Sequence, residues 1–166
     1  MSQGNRVLVL KTGEALPPVK AARGDFEDWI AAALGCTSED VDVAAAYEGD
    51  ALPPAESISG IVVTGSPGMV TDREDWSEAA ARWLAKIVEG DTVPVLGLCY
   101  GHQLIAHGLG GEVGVNPRGR EMGTVAAHLP AGDGLENPFF EGGAFFAQMS
   151  HLGSGRLPPS DASVHA

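Results

Sequence analysis

An α/β fold built on a mostly parallel sheet is the architecture that this sequence predicts. Short runs of branched apolar residues and leucine recur at residues 6–10, 60–64 and 93–98, as is typical of buried parallel strands. Segments with helical signals lie between these runs, and alternation of the two favours a doubly wound sheet. The chain has 166 residues, which is enough for one domain with its own core. We therefore expect a single domain over residues 1–166.

The first half of the chain divides into strand, helix, strand and strand. Residues 6–10 (RVLVL) form the first predicted strand, and a loop containing Pro17 and Pro18 follows. Asp25 is placed to cap a helix that runs to about Leu34, with Gly35 as its stop. Residues 41–46 and 60–64 predict the second and third strands, with a proline-bearing loop over residues 48–59 between them.

The second half begins with a helix and a fourth strand. Apolar residues at Trp76, Ala80, Trp83 and Ile87 share one helical face. Residues 93–98 (VPVLGL) predict the fourth strand, and a short helix after it ends before the glycine pair at 110–111. From residue 112 onwards the sequence pattern changes to short strand-like runs at 112–115, 123–129 and 144–149. These runs predict antiparallel edge structure or a small additional sheet.

Composition excludes several classes of function. The formal net charge is −12, and such a field repels both nucleic acid and anionic membrane surfaces. No apolar run is long enough for a membrane span, and the first residues lack a signal-peptide pattern. The two cysteines, Cys36 and Cys99, suggest no disulfide framework. We predict a cytoplasmic protein with free thiols, no metal site and no cofactor.

The segment Gly97-Leu98-Cys99-Tyr100-Gly101-His102-Gln103 carries the chemistry. A nucleophile between two glycines, after a strand and before a helix, has the form of a nucleophile elbow. The turn is tight enough to demand residues without a side chain on both sides of the cysteine. A lone cysteine after a strand is more often a small buried residue, but the flanking glycines reverse that preference for Cys99. Cys36 follows a helix stop without such a context, and we interpret it as structural.

Backbone groups at the elbow would support attack on an amide. The N–H groups at the start of the following helix point towards the sulfur and favour a thiolate, the reactive form. The Tyr100 N–H can donate to the oxyanion that forms when a carbonyl is attacked. We expect Cys99 to sit in a strained turn between a central parallel strand and a helix. The turn-rich stretch at residues 65–68 (GSPG) ends another strand and should lie across from it.

These residues resemble the G-x-C-x-G-x-Q signature of class I glutamine amidotransferases. The stretch at 62–68 (VVTGSPG) is similar to the family's loop after its third strand, and 148–151 (QMSH) is similar to its S-H segment. Residues 121–123 (EMG) match a segment of the branch similar to the glutaminase domain of GMP synthase. The resemblance implies a flavodoxin-like three-layer α/β sandwich with a mostly parallel sheet.

The resemblance also implies a reaction and a set of residues. Cys99 would attack the side-chain amide of glutamine and form a γ-glutamyl thioester, and the ammonia would pass to an acceptor or a synthetase partner. The backbone N–H groups of Tyr100 and Ser66 would hold the oxyanion. The substrate would be held by Gly68, Gln103, Ser150 and His151. For Gln103 the alternative is a solvent-facing helix position, and for Ser150 and His151 it is an ordinary loop.

One part of the family pattern is missing. A cysteine nucleophile of this kind needs a base and an orienting carboxylate, which the family supplies from a later His-x-Glu motif. None of the five histidines of this chain begins such a motif. We therefore expect a chain shortened at its C-terminal end, whose own glutaminase activity is low.

Two other functional classes remain open. One is a non-catalytic module of the same fold that binds glutamine or a protein partner. The other is a cysteine-elbow enzyme resembling the PfpI peptidases, in which a histidine commonly follows the cysteine directly. Here Tyr100 takes that position, and Gln103 favours the amidotransferase interpretation.

Overall fold

A parallel four-stranded sheet forms the centre of the computed structural model, which describes residues 6–117, 119–128, 144–151 and 153–157. Its strands are β1 (Arg6–Lys11), β2 (Asp42–Ala45), β3 (Ile58–Val63) and β4 (Val95–Gly97). They lie in the order β2-β1-β3-β4, and every neighbouring pair is parallel. The predicted parallel sheet is confirmed. The strand before Cys99 is β4, which is an edge of the described sheet and not the central strand that we expected.

Within the described residues, four α-helices accompany the sheet: α1 (Pro17–Arg23), α2 (Phe26–Ala33), α3 (Asp75–Glu89) and α4 (Tyr100–Gly108). Asp25 caps α2 through a reciprocal capping box with Asp28, as its side chain predicts. The prediction of a loop around Pro17 and Pro18 was wrong, because these residues begin α1. Proline is compatible with the first turn of a helix, where its missing N–H would have no acceptor.

The core lies on both faces of the sheet, as a three-layer sandwich requires. On one face, Leu8, Leu10, Ile61 and Val63 pack against α3 and α4. On the other face, the alternate residues Val9 and Val62 pack against α2. The strands bury both faces because successive side chains point to opposite sides, which explains their continuous apolar sequences.

Helices α3 and α4 meet at backbone distance. Gly108, at the end of α4, faces the carbonyl of Ala81 on α3 so closely that a Cβ at position 108 would collide with it. Larger residues at Leu84 and Leu104, both fully buried, fill the rest of this contact. Gly108 therefore lets α4 lie directly on α3.

In the part of the chain after residue 111 that the structure describes, two small antiparallel strand pairs follow the sheet. Strand β5 (Glu112–Val115) pairs with β8 (Gly153–Leu157), and β6 (Glu121–His128) pairs with β7 (Ala144–His151). The sequence predicted β5 with the same bounds and β6 and β7 with slightly different bounds, and Leu129 lies outside the described residues. It did not predict β8. Across the described ranges, none of the helices is both long and apolar enough to cross a membrane.

Candidate active site

Cys99 occupies a strained turn between β4 and α4. Its backbone has φ 52° and ψ −105°, in a region that residues other than glycine rarely adopt. The side chain is exposed, while Tyr100 after it is buried. The strand, the strained residue and the helix thus follow one another as the sequence predicts for a nucleophile elbow.

The two glycines of the elbow are sterically required. A Cβ at Gly97 would lie 2.5 Å from the backbone nitrogen of His102. A Cβ at Gly101 would lie 2.5 Å from the carbonyl oxygen of Val63, in the neighbouring strand β3. Neither contact is possible for a real side chain, so both positions need glycine if Cys99 is to keep its place.

Hydrogen bonds fasten the elbow to β3. The Leu98 N–H donates to the Val63 carbonyl at 2.9 Å, and the Gly101 N–H donates to the Thr64 carbonyl at 3.1 Å. The Gln103 N–H donates to the Cys99 carbonyl at 3.2 Å and continues the turn into α4. These bonds hold the strained turn in place from both sides.

The 65–68 loop lies directly across from the cysteine. A Cβ built on Gly65 would be 3.7 Å from the Cβ of Cys99, which is ordinary van der Waals contact. Within the loop, the Gly68 N–H donates to the Ser66 hydroxyl at 3.1 Å. The two strand ends that the sequence singled out are therefore neighbours, with Cys99 and the Gly65 backbone facing each other.

The side chain of Tyr100 belongs to the core. Its hydroxyl lies 2.8 Å from the hydroxyl of Ser77 on α3, and its ring stacks on Trp76 at a centroid distance of 5.9 Å. Burial raises the pKa of the Tyr100 phenol, and the Ser77 hydrogen bond opposes that effect. Tyr100 therefore faces the site with its backbone, whose N–H is in the first turn of α4 and has no acceptor within the helix.

Gln103 is buried, with 8% of its surface exposed. It lies one helical turn after Cys99, on the same side of α4. The alternative of a solvent-facing helix position is therefore wrong for this residue.

Ser150 and His151 are the last two residues of β7. Their backbones pair with Met122 and Glu121 at the start of β6, so the segments 121–123 and 148–151 lie side by side. Their side chains fall outside the described part of the chain. Their role towards the substrate stays a prediction.

His107 is engaged elsewhere. Its Nε2 lies 2.9 Å from Oε1 of Glu78, and Arg73 places Nη1 2.8 Å from the same nitrogen. The hydrogen bond from Arg73 lowers the pKa of Glu78 below its usual value. The cluster borders a cavity of about 250 Å³ lined by His107 and Arg73 but not by Cys99. Because α4 is continuous, His107 at its far end is separated from the elbow by about two turns.

The two thiols have different surroundings. Both are free, but Cys36 is half-buried and its Sγ donates to the Ala31 carbonyl at 3.4 Å. Cys99 is exposed at the mouth of the elbow. The structural interpretation of Cys36 agrees with this contact.

Two buried threonines beside the 65–68 loop were not predicted from the sequence. Thr12 follows β1 and Thr64 follows β3, and each is at most 1% exposed. The Thr64 hydroxyl accepts from the Thr12 N–H at 3.0 Å and donates to the Gly65 carbonyl at 3.0 Å. The Thr12 hydroxyl lies 2.9 Å from the Thr64 carbonyl and 3.1 Å from the Gly65 carbonyl. Their signal in the sequence is a hydroxyl residue directly after a buried strand, at the edge where ligands bind.

The chain is similar in sequence to known proteins. The model of the family "Glutamine amidotransferase class-I" matches residues 24–144. A GMP synthase (glutamine-hydrolyzing) of Aeropyrum pernix is 39% identical over 122 residues, which are 71% of this chain and 21% of that protein. The glutamine amidotransferase-like protein chry6 of Gibberella zeae is 33% identical over 116 residues, which are 68% of this chain and 47% of that protein. The chain thus spans less than half of the length of these two relatives.

Solved structures show the same fold. A glutamine amido transferase from Methylobacillus flagellatus superposes with a TM-score of 0.69 at 24% identity, covering 93% of this chain and 58% of that one. A glutamine amidotransferase from Thermotoga maritima gives a TM-score of 0.67 at 21% identity, covering 93% and 63%. The predicted flavodoxin-like α/β fold is confirmed. The chain belongs to the class I glutamine amidotransferase family.

Proposed function

We propose that Cys99 is the nucleophile that attacks the side-chain amide of glutamine. The observation that carries this proposal is the position of Cys99, exposed at a strained elbow across from Gly65 in the 65–68 loop. Membership of the glutamine amidotransferase family supplies the substrate class. A thiolate suits the reaction because it attacks carbonyl carbon well and later leaves readily from a thioester.

The reaction would proceed in two steps, formation of the thioester and its hydrolysis. The thiolate adds to the amide carbon, the carbonyl oxygen becomes an oxyanion, and the C–N bond breaks to release ammonia and leave a γ-glutamyl thioester. Water then adds to the thioester, and glutamate leaves as the thiol is restored. The first step needs a proton for the departing nitrogen, and the second needs a base to activate water.

Two backbone N–H groups are our candidates for the oxyanion site. The Tyr100 N–H is the first in α4. We consider residues 66–68 of the loop: Pro67 has no N–H, and the Gly68 N–H already donates to Ser66 Oγ. Ser66 is therefore the loop residue that we assign as the second donor. Hydrogen-bond donors at an oxyanion site contribute strongly to catalysis because they stabilise the negative charge that develops in the transition state.

We propose that the amino-acid end of glutamine is held by Gln103, Gly68, Ser150 and His151. The burial of Gln103 supports this role, because a buried amide next to the elbow can bind substrate without reorganising from solvent. The acceptor of the ammonia, which can be a synthetase partner, and the cytoplasmic location stay predictions.

We assign no residue of this chain as the base. The sequence holds no His-x-Glu motif, and His107 is already in contact with Glu78 and Arg73. We therefore propose that this chain forms the thioester but turns glutamine over slowly. General acid–base help of the missing kind is worth about a hundred- to ten-thousand-fold in rate.

The test uses an acyl donor that needs no leaving-group proton. The 4-nitrophenyl ester of the γ-carboxyl of glutamate releases nitrophenolate as an anion, so acylation can be followed by absorbance and the thioester by mass spectrometry. We expect a stoichiometric burst that maps to Cys99, that is absent in Cys99→Ala and that is unchanged in the matched variant Cys36→Ala. Acylation of Cys36 instead, or no acylation of a folded protein, contradicts the proposal.

A glutamine-binding module is the second candidate function, and the missing motif favours it. Such a module would bind glutamine, measurable by calorimetry, without forming a thioester from the activated ester. Ammonia release from glutamine completes the comparison. Rapid release that depends on Cys99 would show that another residue serves as base, with His151 the first to replace.

A further inference from the structure

The carbonyl oxygen of Gly65 is held by two buried hydroxyls. The Thr64 hydroxyl donates to it at 3.0 Å, and the Thr12 hydroxyl lies 3.1 Å away. The Thr64 hydroxyl is itself oriented, because it accepts the Thr12 N–H at 3.0 Å and must direct its proton elsewhere. The arrangement therefore fixes the direction of one peptide group in the 65–68 loop.

That peptide group joins Gly65 to Ser66. In a trans peptide the C=O and the following N–H point in opposite directions. With the Gly65 oxygen turned inward to the threonines, the Ser66 N–H is turned away from them. Glycine adopts backbone conformations of either sign at little cost, so the peptide after Gly65 is one that could rotate without such a restraint.

The same two threonines also connect the loop to the elbow. The Thr64 carbonyl accepts from the Gly101 N–H at 3.1 Å and lies 2.9 Å from the Thr12 hydroxyl, whose single proton is shared between this oxygen and the Gly65 carbonyl. The first turn of α4 and the 65–68 loop are thus both anchored to the buried Thr64 carbonyl oxygen. Removing the Thr12 hydroxyl therefore changes the hydrogen bonding of both the Thr64 carbonyl and the Gly65 carbonyl.

We infer that Thr12 and Thr64 are positioning residues that orient the Ser66 N–H for oxyanion binding. This inference rests on the proposed function and adds to it the source of the second donor's orientation. Neither hydroxyl touches the substrate; each acts through the Gly65 carbonyl. The prediction is a defect confined to reactions that form an oxyanion.

Two reagents separate that defect from a general loss of the site. Attack of Cys99 on the γ-nitrophenyl ester passes through an oxyanion, whereas alkylation by iodoacetamide is a displacement at saturated carbon and forms none. Thr12→Val and Thr64→Val keep the shape and remove the hydroxyl, while Thr12→Ser and Thr64→Ser keep the hydroxyl. Thr37→Val is the matched control. Thr37 lies before β2, and its hydroxyl donates to Asp40 at 2.7 Å and not to the 65–68 loop.

Removing an oxyanion donor outright lowers rates by about a hundred- to a thousand-fold. For a donor that is only misdirected, we expect the maximal acylation rate of either valine variant to fall by about ten- to a hundred-fold. The ester concentration at half-maximal rate and the alkylation rate should not change. The serine variants should recover acylation, and Thr37→Val should resemble the wild type.

Two outcomes overturn the inference. Valine variants that acylate like the wild type show that the hydroxyls do not position the donor. Serine variants that stay slow assign the effect to packing of the methyl group. Should Thr12→Val fail to fold, Thr64→Val carries the same comparison. If the wild type is alkylated but never acylated, the proposed function itself fails; wild-type acylation with unaffected valine variants removes this inference alone.

Discussion

Gly101 lies against the carbonyl of Val63, so close that a Cβ on Gly101 would be 2.5 Å from that oxygen. The contact sets how near α4 approaches β3, and with it the height of Cys99 above the sheet. Glycine in a helix normally costs about 1 kcal/mol relative to alanine, so this position gives up helix propensity for the close approach.

We predict that Gly101→Ala destabilises the protein despite its better helix propensity. Forcing a methyl group into a packed contact typically costs about 1–3 kcal/mol, which exceeds the gain in propensity. Thermal or urea unfolding measures the loss, and the γ-nitrophenyl ester should acylate Cys99 more slowly. Gly60→Ala is the matched control, because its new Cβ would meet its nearest atom, in Pro94, at 3.5 Å. Equal stability of the two variants would contradict this account.

Cys99 should react faster than Cys36 with iodoacetamide in the folded protein at neutral pH. Cys99 is exposed, whereas the Cys36 thiol is half-buried and bonded to the Ala31 carbonyl. Peptide mapping of partly labelled protein gives the two rates. In denaturant the two rates should converge, and a difference that persists there would have another cause. Equal rates in the folded state would remove the support for an accessible nucleophile.

The phenol of Tyr100 should matter for stability and not for acylation. Tyr100→Phe removes the 2.8 Å contact with Ser77 and leaves that hydroxyl, which is 1% exposed, without this partner. We expect a loss of about 1–3 kcal/mol in the free energy of unfolding. Acylation of Cys99 should be unchanged, because only the backbone N–H of Tyr100 is proposed to act. A slow but fully stable variant would mean that the phenol takes part in the chemistry.

The ion pair between Lys11 and Asp25 should make stability depend on acid pH. Burial by itself raises the pKa of the Asp25 carboxyl, but hydrogen bonds from Lys11 and from the N–H groups of Ala15 and Phe26 outweigh it and hold that pKa well below its usual range. The unfolded value is about 3.9, so the stabilisation is fully present above that pH and is lost as the pH falls towards the folded value.

Asp25→Asn should therefore be less stable at neutral pH, by about 1–3 kcal/mol, because Lys11 loses one charged partner and keeps the other, Glu27, at 2.9 Å. Its stability should also decrease less than that of the wild type between pH 5 and about pH 2. Urea unfolding across this range measures both effects. Asp42→Asn removes an exposed partner of Arg6 at 3.4 Å and should change stability by less than about 1 kcal/mol. Parallel pH profiles for wild type and Asp25→Asn would show that this carboxylate is not the origin of the acid sensitivity.

Local sequence signals predicted most of the sheet and three of the helices, because buried strands are apolar throughout and glycines end the helices. Helix α1 escaped prediction because Pro17 and Pro18 are typical of loops as well as of a helical first turn. Strand β8 escaped because its sequence, GSGRL, has little strand preference and depends on pairing with β5, some forty residues earlier.

The elbow could be predicted because all of its sequence requirements lie within seven consecutive residues. The threonines could not, because the bonds that define them join positions 52 residues apart in the chain. Only the register of β1 against β3 brings Thr12 next to Thr64. Sequence spacing shows which residues can carry chemistry, and tertiary register decides which residues orient them.

Helix α4 meets its neighbours without intervening side chains at both of its ends, at Gly101 on β3 and at Gly108 on α3. A helix clamped at two points has little freedom to tilt or slide, so the sulfur has no hinge of its own. If Cys99 is the nucleophile, as we propose, its backbone would keep the same position while substrate enters and product leaves. The reorganisation in each cycle would then fall on the glutamine and the surrounding loops, and the Cys99 backbone would be a fixed point against which the substrate is aligned.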